Sequence, residues 1–279
     1  MRCETIHLRD YYGFLGKDGC NPTVEMFFPY DSNKLFGKQK KRPCLIVCPG
    51  GAYSFLAERE SEPIALNFVQ NGYNVFIIKY SVAPHTFPTQ LCEVAALVEL
   101  VYKNSDIWNC DTSKLAIIGF SAGGHLAAHY STMFDCQQVR SYFPQSKSVN
   151  AAILCYPVIT AEYEYAEKGS ICNLSGKKPY TKEDIENLSC EKHVRETTPP
   201  TFIWHTAEDS LVKVMNSLIY AQALSENKVP YELHIYPYGP HGLSTADRVT
   251  NSNLPEKYKS VHTWIGFAKK WLELIGCAL

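Results

Sequence analysis

The chain reads as a doubly wound α/β protein, a mostly parallel sheet with helices on both faces, and three observations carry that reading. Continuous apolar runs rich in β-branched and aromatic residues recur along it, segments of helical period separate them, and a Gly-x-Ser-x-Gly stretch sits where one run passes into one such segment. Unbroken apolar runs suit strands covered on both sides, as parallel strands are. Alternation of such strands with helices implies the doubly wound arrangement. At 279 residues and 46% hydrophobic content, one large domain with a sizeable core and room for an insertion fits the length.

The elements follow in order. Cys3 to Leu8 and Val24 to Pro29 alternate more loosely and suit an antiparallel edge. The apolar runs are Pro43 to Cys48, Asn74 to Tyr80, Lys114 to Gly119, Ala151 to Cys155, Thr201 to His205 and Tyr231 to Tyr236. Helical period marks Ser61 to Asn71, Pro88 to Asn104, Ala122 to Phe134, Lys213 to Asn227 and Lys257 to Leu274. In the second of these, Leu91, Val94, Ala95, Val98 and Val101 form one apolar stripe. Residues 160–198 break the rhythm. They are polar, rich in Lys and Glu, bounded by Pro157 and Pro199-Pro200, and are expected to form a cap-like insertion over the carboxyl edge of the sheet.

Composition excludes several roles. A net charge of −1 without a long Lys/Arg run argues against nucleic acid or an anionic membrane as partner, and the basic cluster Lys38 to Arg42 reads as a solvated turn before a buried strand. No stretch reaches the roughly 20 apolar residues of a membrane span, and the amino terminus lacks a signal-like apolar segment, so a soluble, cytoplasmic protein is expected. The eleven cysteines are odd in number and show no Cys-x-x-Cys spacing; Cys44, Cys48 and Cys155 lie in apolar runs as small buried hydrophobes of a reducing compartment. No metal and no cofactor is expected. His125 and His129 stand four apart on one helical face, but no nearby carboxylate or cysteine completes a ligand set, which leaves packing or interhelix hydrogen bonding as their use.

The chemistry centres on Gly119-Phe120-Ser121-Ala122-Gly123, placed directly after Leu115-Ala116-Ile117-Ile118 and opening a helix. A serine on a sharp strand-to-helix turn presents its hydroxyl as a nucleophile. Acyl transfer also needs a base, a group to orient that base, and donors for the developing oxyanion. Open α/β sheets gather such groups in loops at the carboxyl ends of strands. After Thr201 to His205 comes Glu208-Asp209-Ser210, and after Tyr231 to Tyr236 comes Gly239-Pro240-His241-Gly242. The order Ser121, Asp209, His241 is nucleophile, acid, histidine. Asp209, Glu208 and Ser210 also stand where any of them caps the following helix. For the oxyanion, Gly50-Gly51 follows the strand ending at Cys48, and the N–H of Ala122 follows the nucleophile. His85 and His205 are open between loop structure and site lining. Tyr53, Phe55, Tyr163 and Tyr165 either line a substrate cleft, with Tyr53 as the substrate-binding candidate, or pack the insertion onto the body.

The residues at this point resemble the α/β-hydrolase superfamily, in the branch near hormone-sensitive-lipase-type esterases and close to small carbohydrate esterases grouped with acetyl xylan and feruloyl esterases. The resemblance lies in Cys48-Pro49-Gly50-Gly51-Ala52-Tyr53, Lys79-Tyr80-Ser81-Val82-Ala83-Pro84, Gly119 to Leu126, Cys155 to Thr160, Trp204 to Asp209 and Gly239 to Gly242, in order along most of the chain. It implies Ser121 as nucleophile, His241 as base, Asp209 in preference to Glu208 as orienting acid, and Gly50, Gly51 and Ala122 as oxyanion donors. Two departures stand out: Pro49 where the wider group has histidine, and Ala52 where many members have a third glycine. They leave open which N–H groups of Gly50, Gly51 and Ala52 face the oxyanion. The implied activity is a serine carboxylesterase removing short acyl groups, acetyl above all, from sugars or oligosaccharides. An amidase or arylformamidase, and a non-catalytic ligand receptor on the same fold, are the alternatives. The partner is a small-molecule or oligosaccharide ester, and outer helix faces leave room for a homodimer.

Overall fold

The computed structural model describes residues 1–30 and 41–279. Most of the basic cluster at residues 38–42 therefore lies outside the described residues. One eight-stranded sheet organises the chain: β1 (Arg2–His7), β2 (Thr23–Phe28), β3 (Arg42–Cys48), β4 (Asn74–Lys79), β5 (Cys110–Phe120), β6 (Ala151–Cys155), β7 (Thr201–Thr206) and β8 (Tyr231–Tyr236), in spatial order β1-β2-β4-β3-β5-β6-β7-β8. The β1–β2 and β2–β4 pairs are antiparallel, and every pair from β4 to β8 is parallel. The looser alternation near the amino terminus thus marks the antiparallel edge.

The helices are α1 (Glu62–Val69), α2 (Thr89–Lys103), α3 (Ala122–Met133), α4 (Gln137–Arg140), α5 (Lys168–Ser175), α6 (Lys182–Leu188), α7 (Met215–Glu226) and α8 (Thr263–Leu274). They cover both faces, and strand parity decides which residue serves which. Cys44, Ile46 and Cys48 of β3 and Leu115 and Ile117 of β5 join Leu91, Val98, Leu126 and Tyr220 on one side. Their neighbours Leu45, Val47, Ala116, Ile118 and Phe120 join Phe68, Trp264, Ala268 and Leu272 on the other. Both side-chain sets of each central strand are buried, which is why these runs are apolar without alternation.

Some expected boundaries move for local reasons. β5 begins at Cys110 rather than Lys114, because Cys110 pairs with Arg42 across a bulge and the polar Asp111, Thr112 and Ser113 conceal the extension. The last helix starts at Thr263, not Lys257. Residues Glu256–His262 are wound in 3-10 turns, with His262 Nδ1 bonded to the Thr245 carbonyl. α7 starts at Met215, since Asp209 holds the N–H groups of Leu211 and Val212 in the loop before it.

The segment 160–198 forms α5, α6 and the 3-10 turn Cys190–His193. It is sewn to the body by hydrogen bonds at both ends. Asn173 Nδ2 donates to the Ala52 carbonyl at 2.8 Å, beside the carboxyl end of β3, and the Phe87 N–H donates to the Leu174 carbonyl at 2.8 Å. At α6, His125 Nε2 meets the Leu188 carbonyl at 2.8 Å and His129 Nε2 meets that of Asn187 at 3.0 Å. Two carbonyls that the end of α6 leaves unpaired thereby gain donors. His125 and His129 serve interhelix hydrogen bonding, as the sequence favours. Burial pushes the His125 imidazolium down to about 4, which keeps the ring neutral in that role.

Candidate active site

Ser121 sits at φ 52°, ψ −118°, between the last residue of β5 and the first of α3. A non-glycine residue held at positive φ is strained, and here packing over-determines it. The Ser121 N–H donates to the Cys155 carbonyl of β6 at 3.0 Å, and its carbonyl receives the N–H groups of His125 and Val158. Gly123 lets the helix close on the neighbouring loop: a Cβ there would stand 2.1 Å from the Cys48 carbonyl oxygen. The serine is 9% exposed, reachable yet largely shielded.

The three loops at the ends of β5, β7 and β8 converge. Ser121 Oγ lies 2.8 Å from His241 Nε2, and His241 Nδ1 lies 2.6 Å from Asp209 Oδ2. A carboxylate can only accept, so Nδ1 carries the hydrogen and Nε2 is the acceptor facing the serine hydroxyl. Asp209 does not cap the following helix, which begins at Met215 with no side-chain cap; its Oδ1 instead accepts the N–H groups of Leu211 and Val212 in the loop before it, at 3.0 and 2.9 Å. Burial alone would raise this carboxyl. The hydrogen bonds from His205 and His241 outweigh it and hold the group well below the usual carboxylate range. Glu208 lies outside this chain of contacts, its Oε2 taking the Gly239 N–H at 3.2 Å.

His205 is brought into the site. Fully buried, its Nε2 approaches Asp209 Oδ2 at 3.2 Å and the Val212 carbonyl at 2.9 Å, while Nδ1 lies 2.8 Å from Ser217 Oγ. Two acceptors face Nε2, so it bears the hydrogen and Nδ1 accepts from Ser217. His85, by contrast, pairs its Nδ1 with Cys20 Sγ at 3.2 Å.

The turn after β3 brings two corrections. The Gly50 N–H does not face open space; it donates to Glu60 Oε2 at 2.8 Å in a buried contact. Gly50 is therefore removed from the expected oxyanion donors. Gly51, at φ +127°, has its carbonyl engaged by Ser54 and Phe55, whereas no hydrogen bond among the described residues engages its N–H. A Cβ on Gly51 would stand 2.1 Å from the Phe55 carbonyl oxygen, so no other residue closes this turn. The Ala122 N–H is among the first-turn donors that a helix leaves unpaired. Ala52 takes φ 53°, the left-handed conformation that a glycine would adopt more cheaply.

Tyr53 is the second correction. Its side chain is 0% exposed, its ring packs against Tyr80 and His125, and its hydroxyl lies 2.8 Å from His125 Nδ1, so it cannot line a cleft. Tyr163 stacks on Tyr180 within the segment 160–198, and Tyr165 lies under Lys213 Nζ. Of the four aromatic candidates, Phe55 and Tyr163 are exposed, and Phe55 lies beside the Gly51 turn.

Two further residues meet here to which the sequence assigns no role. Tyr156, at φ 39° just past β6, packs its ring edge-to-face against His241, and its hydroxyl donates to Glu60 Oε1 at 2.7 Å. Glu60 lies in the charged run Glu58-Arg59-Glu60, which by composition looks solvated, yet it is 2% exposed. Among the described residues no group of His, Cys, Asp and Glu side chains is arranged to hold a metal ion, and no helix is long and apolar enough to cross a membrane.

Residues 34–224 match the family model BD-FAE. Endo-1,4-beta-xylanase B of Butyrivibrio fibrisolvens is 37% identical over 88% of this chain and 38% of its own length. The acetylxylan esterase of Xylanibacter ruminicola is 32% identical over 71% of the chain and 40% of its own length. The chain thus spans about two-fifths of the length of these curated relatives. Among solved structures, an acetyl ester-xyloside bifunctional hydrolase from Caldicellulosiruptor lactoaceticus superposes with a TM-score of 0.85 at 34% identity, covering 99% of this chain and 97% of that one. The carboxylesterase Cest-2923 from Lactobacillus plantarum, at 24% identity and a TM-score of 0.83, shares the fold.

Proposed function

This chain belongs to the BD-FAE family within the α/β-hydrolases, and from that premise we propose that it is a serine carboxylesterase that releases short acyl groups, acetyl above all, from sugars or oligosaccharides. The observation that carries the chemistry is the unbroken contact series from Ser121 Oγ through His241 to Asp209 Oδ2. His241 Nε2 takes the hydroxyl proton as Ser121 Oγ attacks the ester carbonyl. Asp209 stays ionised, fixes the tautomer and stabilises the imidazolium that forms. The N–H groups of Gly51 and Ala122 receive the oxyanion. His241 then hands its proton to the departing sugar hydroxyl, and water repeats the sequence on the acyl-enzyme. The choice of substrate rests on the relatives, whose names include an acetylxylan esterase and an acetyl ester-xyloside hydrolase.

A fluorophosphonate probe with mass spectrometry tests the nucleophile. The expected result is one adduct on the Ser121 peptide, with kcat on aryl acetates falling by ~10⁴ to 10⁶ in Ser121→Ala. An adduct elsewhere, or near-native turnover by that variant, would reject the mechanism.

A further inference from the structure

Glu60 is a buried carboxylate that the mechanism above leaves idle. Among the described residues no cation lies within ion-pair distance of it; its two oxygens instead accept two hydrogen bonds from two different loops. Oε2 takes the Gly50 N–H at 2.8 Å and Oε1 takes the Tyr156 hydroxyl at 2.7 Å. The surroundings are tight, since a Cβ on Gly50 would stand 2.7 Å from both Glu60 Oε2 and the Phe120 carbonyl oxygen, and 3.0 Å from Ser121 Cβ. The network continues past Tyr156, whose hydroxyl oxygen accepts the Ser244 N–H at 3.0 Å, while the Trp264 Nε1–H donates to the Ser244 carbonyl. Ser244 lies three residues beyond His241, and the Tyr156 ring meets the His241 ring edge-to-face at 5.0 Å.

One carboxylate therefore joins the turn after β3, which abuts the elbow after β5, to the residue after β6 and, through Tyr156, to the segment after β8. We propose that Glu60 is a positioning residue: it fixes the Gly50-Gly51 turn against the Ser121 elbow and, through Tyr156, fixes the His241 segment in the same frame. The proposal rests on Ser121 acting as nucleophile and Gly51 as an oxyanion donor. Its logic is acceptor counting. Both partners are donors, and the Tyr156 oxygen is already occupied by the Ser244 N–H, so the tyrosine cannot turn round to accept from Glu60 without losing that bond. Only an ionised carboxyl supplies two acceptors there. An amide of the same shape supplies one, and one arm of the frame must give way. Misalignment of an oxyanion donor is felt when charge develops, not when the ester binds.

Glu60→Gln is the test, read as steady-state kinetics on p-nitrophenyl acetate and as the affinity of a boronic acid that mimics the tetrahedral intermediate. The expected result is a fall in kcat of about 10- to 100-fold with KM within about twofold, and a parallel weakening of the boronic acid. A residue that served stability alone would shift the urea midpoint while folded enzyme kept kcat and boronic-acid affinity within about twofold. That outcome overturns the proposal. Should Glu60→Gln not fold, Tyr156→Phe decides: it keeps the Gly50 bond and frees one carboxylate oxygen. A fall in kcat of about 3- to 10-fold at constant KM supports the proposal, and kcat within about twofold contradicts it. Wild-type turnover that survives Ser121→Ala would overturn the premise and the proposal together, and that control separates failure of the reaction from failure of Glu60's part in it.

Discussion

Asp209 divides its oxygens between the loop and the proposed base: Oδ1 caps the loop before α7, and Oδ2 faces His241. Asp209→Asn leaves the cap in place, but an amide cannot both hold the loop and oblige Nδ1 to carry the hydrogen. A fall in kcat of ~10⁴ with little change in thermal midpoint is expected from parallel kinetics and calorimetry. Tyr53 calls for the opposite experiment. Removing its hydroxyl leaves the buried His125 Nδ1 without a partner, so Tyr53→Phe should cost about 1–3 kcal/mol in urea unfolding while KM for sugar acetates stays unchanged. A raised KM with intact stability would restore Tyr53 to the cleft. The placing of Ser121, Asp209 and His241 in one contact series was legible in the sequence because each follows a recognisable strand in a loop, and loops at strand ends share an edge. Glu60 and Gly50 were not. A carboxylate within Glu58-Arg59-Glu60 carries no sign that it turns inward, and Gly50 loses its N–H to a residue ten positions away.

At the level of elements, period and apolarity located every strand and the main helices, and failed where polar residues carry structure. The start of β5 is hidden by Asp111, Thr112 and Ser113, and the 3-10 turns before α8 share their composition with helix. α2 conceals a titrating group on a largely apolar face, one turn beyond the buried Gln90. Glu93 is fully buried, its oxygens accepting the Ser81 N–H and hydroxyl at 2.8 and 2.5 Å, and burial raises its carboxyl to about 7 despite those bonds. The folded pKa thus lies above the unfolded one. The stability contribution of Glu93 is present below the ordinary carboxylate value near 4.5 and is lost as pH rises to about 7. The shift corresponds to a loss on the order of 3 kcal/mol. Glu93→Gln should flatten this segment of the curve of unfolding free energy against pH, measured in urea from about pH 4.5 to 8. Parallel curves for the two proteins would show that Glu93 does not titrate in that window.

Across the whole molecule, two apolar layers clamp one sheet, and the groups of the proposed site gather where parallel strands end together. Ile117 illustrates the dependence of the site on the layers. It is fully buried in β5, four residues before Ser121, so Ile117→Ala should cost about 2–5 kcal/mol in unfolding free energy while folded enzyme keeps its kcat. The sheet order was readable only in outline, because pairing is decided by contacts between residues far apart in the chain. The segment 160–198 shows the same limit: its polar composition marks a break in the strand–helix rhythm, but not that His125 and His129 tie α6 down. The central claim, a carbohydrate deacetylase built on Ser121, is tested most directly by acetate release from acetylated xylo-oligosaccharides, followed beside Ser121→Ala. The account predicts efficient release that vanishes in the variant, with p-nitrophenyl esters turning over more slowly as the acyl chain lengthens. Turnover confined to activated aryl esters or aryl formamides, with no acetate freed from the sugar, would contradict it.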